Sequence, residues 1–270
     1  MTDRWGIDWR VELADTVPFP KGNPLSDIRK IDNYQFPDPS KLIISESTKE
    51  NLKSVDRDSK LVMGNMTYLL FERAWALMGM ENFFMALIDF PEECHYLLHK
   101  IAIYAKTVFS SYINMGADAI SFSEDLGSQK ALMMSPKHFK EFLLPEYEFI
   151  FSDIIREKKI INFHSCGCVD SIANDLADIG IKVLNPLQAR CNDLHMIKSL
   201  TLGRMALSGG IDTATILSGT PNMVKAEVIR ILDILKPGGG YIIGPDQHFP
   251  NFPKENLDAL WNTAKEYGKY

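Results

Sequence analysis

Residues 160–212 read IINFHSCGCVDSIANDLADIGIKVLNPLQARCNDLHMIKSLTLGRMALSGGID, and this stretch decides the fold class. Three short apolar runs, at 160–164, 182–185 and 205–208, are separated by segments at 170–179 and 193–200 whose apolar residues recur at helical spacing. Runs so short and so apolar predict strands buried on both faces. Gly180 stops the first helical segment, and Asp170 and Asp212 stand where helix caps belong. Strand, helix and strand joined by short connections predict a parallel sheet covered by helices.

The alternation continues in both directions. Downstream, a helix at 221–235 stops at Pro237-Gly238-Gly239-Gly240, a strand follows at 241–244, and a last helix covers 254–267. Upstream, a strand at 61–64 precedes helical segments at 69–90 and 91–115, broken at Pro91. A strand at 119–123 is then followed by a helix that opens at Ser135-Pro136 and runs to about residue 157. No G-x-G-x-x-G follows an early strand, which disfavours a dinucleotide-binding sheet and leaves a (β/α)8 barrel as the preferred architecture. The strands counted here are six, two fewer than a barrel needs. Residues 1–45, interrupted by Pro18, Pro20, Pro24, Pro37 and Pro39, are expected to be an irregular N-terminal wrap, with a short strand or hairpin around Trp5 to Trp9. Residues 46–270 are expected to form one β/α domain.

The chain has 270 residues, 46% of them hydrophobic and 24% charged, with a net charge of −6. No basic block offers itself to nucleic acid. No apolar run of about 18 residues is present, and the N-terminus lacks a signal pattern, so a cytoplasmic protein is expected. Four cysteines are too few for a disulfide scaffold.

Barrel chemistry sits at the C-terminal ends of strands. Polar residues collect there: Asn65; Glu124 and Asp125; His164, Cys166 and Cys168; Asn185 and Gln188; Asp212; Asp246, Gln247 and His248. The sharpest motif is His164-Ser165-Cys166. On an extended segment the side chains at i and i+2 share a side, so an imidazole and a thiol converge, and zinc takes both. A third ligand would come from another strand end, with Glu124, Asp246 and His248 available; the alternative is a core histidine beside buried thiols. Asp125 is expected to point the other way and to be structural.

These residues resemble the uroporphyrinogen decarboxylase superfamily, which includes the haem-pathway decarboxylase and corrinoid-dependent methyltransferases. The resemblance is carried by 116–119 (GADA), 124–127 (EDLG), 135–139 (SPKHF), 163–167 (FHSCG), 185–188 (NPLQ), 209–212 (GGID), 237–241 (PGGGY) with Gly244-Pro245, and 253–256 (PKEN). It implies a (β/α)8 barrel of that type, here lacking the N-terminal part and the first strand. The decarboxylase uses an arginine-rich N-terminal motif that is not found here, where nine arginines are scattered. His164-x-Cys166 matches the zinc motif of the methyltransferases. The loop after the last strand reads Pro245-Asp246-Gln247-His248, without the cysteine of the coenzyme M branch. Glu124-Asp125-Leu126-Gly127 looks closer to enzymes that demethylate methoxylated or methylated small molecules.

The resemblance therefore implies a zinc-dependent methyltransferase working with the cobalamin of a separate corrinoid protein, since no D-x-H-x-x-G pattern stands in this chain. His164, Cys166 and Glu124 are the expected metal ligands, with His248 or Asp246 as alternatives to Glu124. Glu124, His164, Cys166 and His248 are the expected catalytic residues. Asn65, Asn185, Gln188, Asp246 and Gln247 are expected to contact cofactor or substrate. Neither nucleic acid nor a membrane is an expected partner, and a homo-oligomer is left open. The alternatives are uroporphyrinogen decarboxylation and a truncated, non-catalytic barrel.

Overall fold

Each apolar run meets a strand, although the run at 61–64 gives the partly exposed strand Met63–Met66 rather than a buried one. In the computed structural model, which describes residues 1–11, 18–42, 44–247 and 251–270, β1 (Asp8–Arg10) and β2 (Phe19–Gly22) pair antiparallel. Then come β3 (Met63–Met66), β4 (Ala119–Ser123), β5 (Ile160–His164), β6 (Val183–Leu187), β7 (Ala206–Ile211) and β8 (Tyr241–Pro245). Helix α1 (Glu46–Lys53) precedes β3, and α2 (Phe71–Met78), α3 (Met80–Asp89) and α4 (Pro91–Asn114) follow it. Next are α5 (Pro136–His138) and α6 (Leu144–Arg156), joined by a π-helical turn at Phe139–Leu143, then α7 (Ala173–Asp178) and α8 (Leu194–Thr201). The series ends with α9 (Thr213–Ser218), α10 (Pro221–Leu235) and α11 (Lys254–Tyr267). Among the described residues no helix is long and apolar enough to cross a membrane.

The chain forms two compact units, Met1–Ile120 with Lys137–Lys159, and Ser121–Pro136 with Ile160–Tyr270. In the first, Asp3 organises the N-terminus: its carboxylate accepts from the backbone N–H of Trp5 and Ile7 at 2.8 and 3.0 Å, from Trp9 Nε1 at 2.9 Å and from Arg73 Nη1 at 2.9 Å. Four donors on one carboxylate fix the hairpin of β1 and β2 and bury Trp5 and Ile7. The segment 69–90, expected as one helix, is two. Gly79 divides it because its φ of +85° lies where an α-helix cannot continue.

The second unit carries the end of β4 and then β5, β6, β7 and β8, laid side by side in that order. Strands β5 to β8 are parallel, with His164 opposite Asn185, Leu184 opposite Leu207 and Ile211 opposite Pro245. Their C-terminal ends therefore come out on one side. The strands are not apolar on both faces as expected; they alternate. Phe122, Phe163, Leu184 and Leu207 are buried on one face, and Phe122 packs edge-on against Phe163 with ring centroids 5.0 Å apart. Each such side chain contributes about 2 kcal/mol by burial, and an aromatic pair about 1 kcal/mol more. Ser121, Asn162, His164, Asn185 and Ser208 share the opposite face and are half-buried. Polar groups on a half-buried face need partners, and Asn162 Nδ2 donates to Ser121 Oγ at 2.9 Å.

Candidate metal centre

That polar face ends in a cluster of three unlike donors. Asp125, His164 and Cys166 each present one ligand atom, and the three atoms lie within 4.8 Å of one another. Cys166 Sγ is 3.6 Å from His164 Nε2, and His164 Nε2 is 3.8 Å from Asp125 Oδ1. Ligands bonded to zinc at 2.0–2.3 Å in a tetrahedron stand about 3.3–3.8 Å apart. The His164–Cys166 edge matches that spacing, and the other two edges, within 4.8 Å, close on it with small side-chain rotations, with the fourth corner left for another ligand. One nitrogen, one sulfur and one oxygen donor also suit zinc better than a hard cation, which prefers oxygen alone.

The neighbours of His164 settle which nitrogen faces the cluster. Asn185 Nδ2 donates to Ser208 Oγ at 3.1 Å, and the amide oxygen of Asn185 faces His164. His164 Nδ1 donates to that oxygen at 3.2 Å. With the proton on Nδ1, Nε2 presents its lone pair to the cluster.

Two loops hold the donors. Beyond β4 and β5 the backbone pairing continues, with Glu124 N–H donating to the His164 carbonyl at 2.9 Å and Gly127 N–H to the Cys166 carbonyl at 3.2 Å. Asp125 Oδ1 accepts from Cys166 N–H at 2.8 Å, and Ser165 Oγ accepts from Leu126 N–H at 3.0 Å. The loops touch through glycines: a Cβ on Gly127 would stand 2.4 Å from Cys168 N, and one on Gly167, whose φ is +85°, 2.2 Å from the carbonyl carbon of Gly127. From beneath, the buried Gln188 accepts from Gly167 N–H at 2.9 Å through Oε1. Asn192 accepts from Val169 N–H and donates to the Gly167 and Gln188 carbonyls, each at 2.9 Å. Asn192 was missed in the sequence because a buried asparagine that braces a loop has no spacing signature.

The carboxylate grouped with His164 and Cys166 is that of Asp125. Glu124, the ligand expected from the sequence, is fully buried and outside the group. Strand alternation is the reason: Glu124 falls on the face of Phe122, and Asp125 on the face of Ser121 and Ser123. Of the other expected residues, Asn185 orients His164, and Gln188 braces the Cys166 loop. Asp246 is buried and accepts from Thr213 N–H at 2.9 Å, while Gln247 donates its backbone N–H to Thr213 Oγ1 at 3.1 Å. Asn65 lies in the first unit, lining a cavity of about 510 Å³ with Thr67, Arg73 and Tyr104. His248 falls outside the described residues. Burial raises the pKa of Cys168 and pushes that of Cys191 up to about 11.

Residues 5–267 match the family model described as uroporphyrinogen decarboxylase (URO-D). The chain belongs to the uroporphyrinogen decarboxylase family. Curated relatives of the chain fall on both sides of the expected division. Methylcobamide:CoM methyltransferase MtaA of Methanosarcina barkeri is 29% identical over 163 residues, 58% of this chain and 44% of that protein. Uroporphyrinogen decarboxylase of Pseudomonas syringae is 29% identical over 186 residues, 67% of this chain and 50% of that protein. The chain spans about half the length of these curated relatives. A solved methyltransferase from Methanosarcina mazei superposes with a TM-score of 0.70 at 20% identity, over 98% of this chain and 77% of its own. The family match and this likeness give the α/β class of barrel type expected from the sequence.

Proposed function

We propose that Asp125, His164 and Cys166 hold a zinc ion, and that the protein transfers a methyl group between a small methoxylated or methylated molecule, or a thiol, and the cobalamin of a separate corrinoid protein. The observation that carries this reading is the nitrogen–sulfur–oxygen cluster gathered within 4.8 Å at adjacent strand ends. The similarity to a methylcobamide-dependent enzyme supports the choice of chemistry. Zinc at this site would supply Lewis acidity toward a methyl ether oxygen or stabilise a thiol acceptor as its thiolate.

The chain's own residues do the positioning. Asn185 keeps the His164 proton on Nδ1 and so keeps Nε2 available to the metal. Asp125 ties the Cys166 backbone to its own loop, which fixes the direction of both side chains. Three protein donors leave one position for substrate, the arrangement of catalytic rather than structural zinc. No side chain at this site is a methyl carrier, so that chemistry falls to the cobalamin of the partner.

The test is an assay of the purified protein with zinc, a reduced corrinoid protein and a series of methoxylated and methylated compounds. Methylcobalamin absorbance should rise with at least one of them and should be lost in Cys166→Ala. Zinc-independent conversion of uroporphyrinogen to coproporphyrinogen, with no methyl transfer, would contradict the proposal and favour the decarboxylase relatives.

A further inference from the structure

Beside the metal loops, the ends of β6, β7 and β8 enclose a second cavity of about 270 Å³, lined by Gln129, Gln188, Arg190, Asp212, Leu217 and Asp246 among others. It adjoins the metal group through Gln188, whose Oε1 accepts from Gln129 Nε2 at 3.0 Å and from Gly167 N–H, the residue after Cys166.

Arg190 gives this cavity its chemistry. The side chain is 64% exposed, yet its position is fixed: Nε and Nη2 lie 2.6 and 2.7 Å from the two carboxylate oxygens of Asp212. Asp212 is fixed in turn, because it caps α9 and accepts from Thr215 N–H at 2.9 Å and from Thr215 Oγ1 at 2.6 Å. Among the described residues Asp212 is the one group that Arg190 bonds. A guanidinium has five N–H donors in a rigid fork, and the Nε–Nη2 edge uses two. The Nη1–Nη2 edge stays open, held at the spacing that takes a carboxylate with two parallel hydrogen bonds.

We propose that this cavity binds the carboxylate of a small monoanionic acid on the Nη1–Nη2 edge of Arg190. Asp212 and Asp246 in the same wall disfavour a dianion such as phosphate. The proposal rests on the methyl-transfer reading only in taking that acid to be the methyl-carrying substrate; binding itself does not depend on the metal.

The experiment titrates methoxyacetate, its neutral isostere methoxyacetamide, and inorganic phosphate into the wild-type protein, Arg190→Gln and Cys166→Ser, with affinities read by calorimetry or ligand NMR. Wild type and Cys166→Ser should bind the acid about tenfold more tightly than the amide, as one charge-assisted bidentate contact implies. Arg190→Gln should abolish that preference with only a small drop in melting temperature, since the Arg190 side chain is largely exposed and Asp212 keeps its hydrogen bonds from Thr215. Equal affinity for acid and amide, no saturable binding of the acid, an acid preference that survives Arg190→Gln, or tighter binding of phosphate than of methoxyacetate would overturn the site. Because Cys166→Ser is expected to lose zinc and keep acid binding, failure of the metal reading and failure of the acid site give different results.

Discussion

His164 Nδ1 donates to Asn185 Oδ1 across 3.2 Å, and Asn185 is held for that role by Ser208. The partners lie opposite each other in the β5–β6 register, so the contact is built into the sheet. Asn185→Ala should therefore weaken zinc binding by roughly 10- to 100-fold, the usual cost of removing the group that orients a ligating histidine. Competition against a chelator of known affinity checks this. An unchanged zinc affinity would mean that His164 needs no such support.

The glycine contact between the metal loops gives a second expectation. Gly127→Ala places a methyl 2.4 Å from the backbone nitrogen of Cys168, and backbone cannot rotate aside. The substitution should cost about 3 kcal/mol or more and displace the Cys166 loop. Gly203→Ala is the control: its φ is +74° but nothing lies within 4 Å of the added carbon, so only about 1 kcal/mol of backbone strain is expected. Urea unfolding of the two variants reads the difference.

These two sites show what the sequence makes legible. The strands are visible as short apolar runs that end in polar residues or glycine, and the convergence of His164 and Cys166 follows from period-two geometry. The same geometry, followed from Ser121 through Ser123, also leads to Asp125. Glu124 and Asp125 look alike in the sequence, because their adjacency does not say which face of β4 is polar. That face becomes apparent only when Asn162 meets Ser121 across two strands far apart in sequence. The break at Gly79 was hidden for a related reason: helical spacing continues through a glycine whose backbone does not. The bracing by Gln188 and Asn192 depends wholly on tertiary contacts, which no local pattern encodes.

Asp212 connects the acid cavity to stability. Burial alone would raise its pKa, but the hydrogen bonds from Thr215 and Arg190 outweigh burial and the net shift is downward. A carboxylate with a lowered folded pKa stabilises the protein above its unfolded pKa, and that contribution is lost as pH falls through the folded value. Asp212→Asn should thus cost roughly 1 kcal/mol at neutral pH, as expected for weakening a cap and its ion pair. Wild type and variant should converge as pH falls below the ordinary carboxylate range and through the lowered folded value. Thermal melts between pH 2 and pH 7 test the convergence; a constant gap would show that the carboxylate charge contributes nothing.

The central claim is that Asp125, His164 and Cys166 form one metal site, and zinc analysis of purified protein tests it most directly. Wild type and the isosteric Glu124→Gln should each carry about one zinc per chain, while Cys166→Ala and Asp125→Ala should lose most of it, since each removes one of three protein donors. Undiminished zinc in Cys166→Ala, or a site emptied by Glu124→Gln and left full by Asp125→Ala, would contradict it.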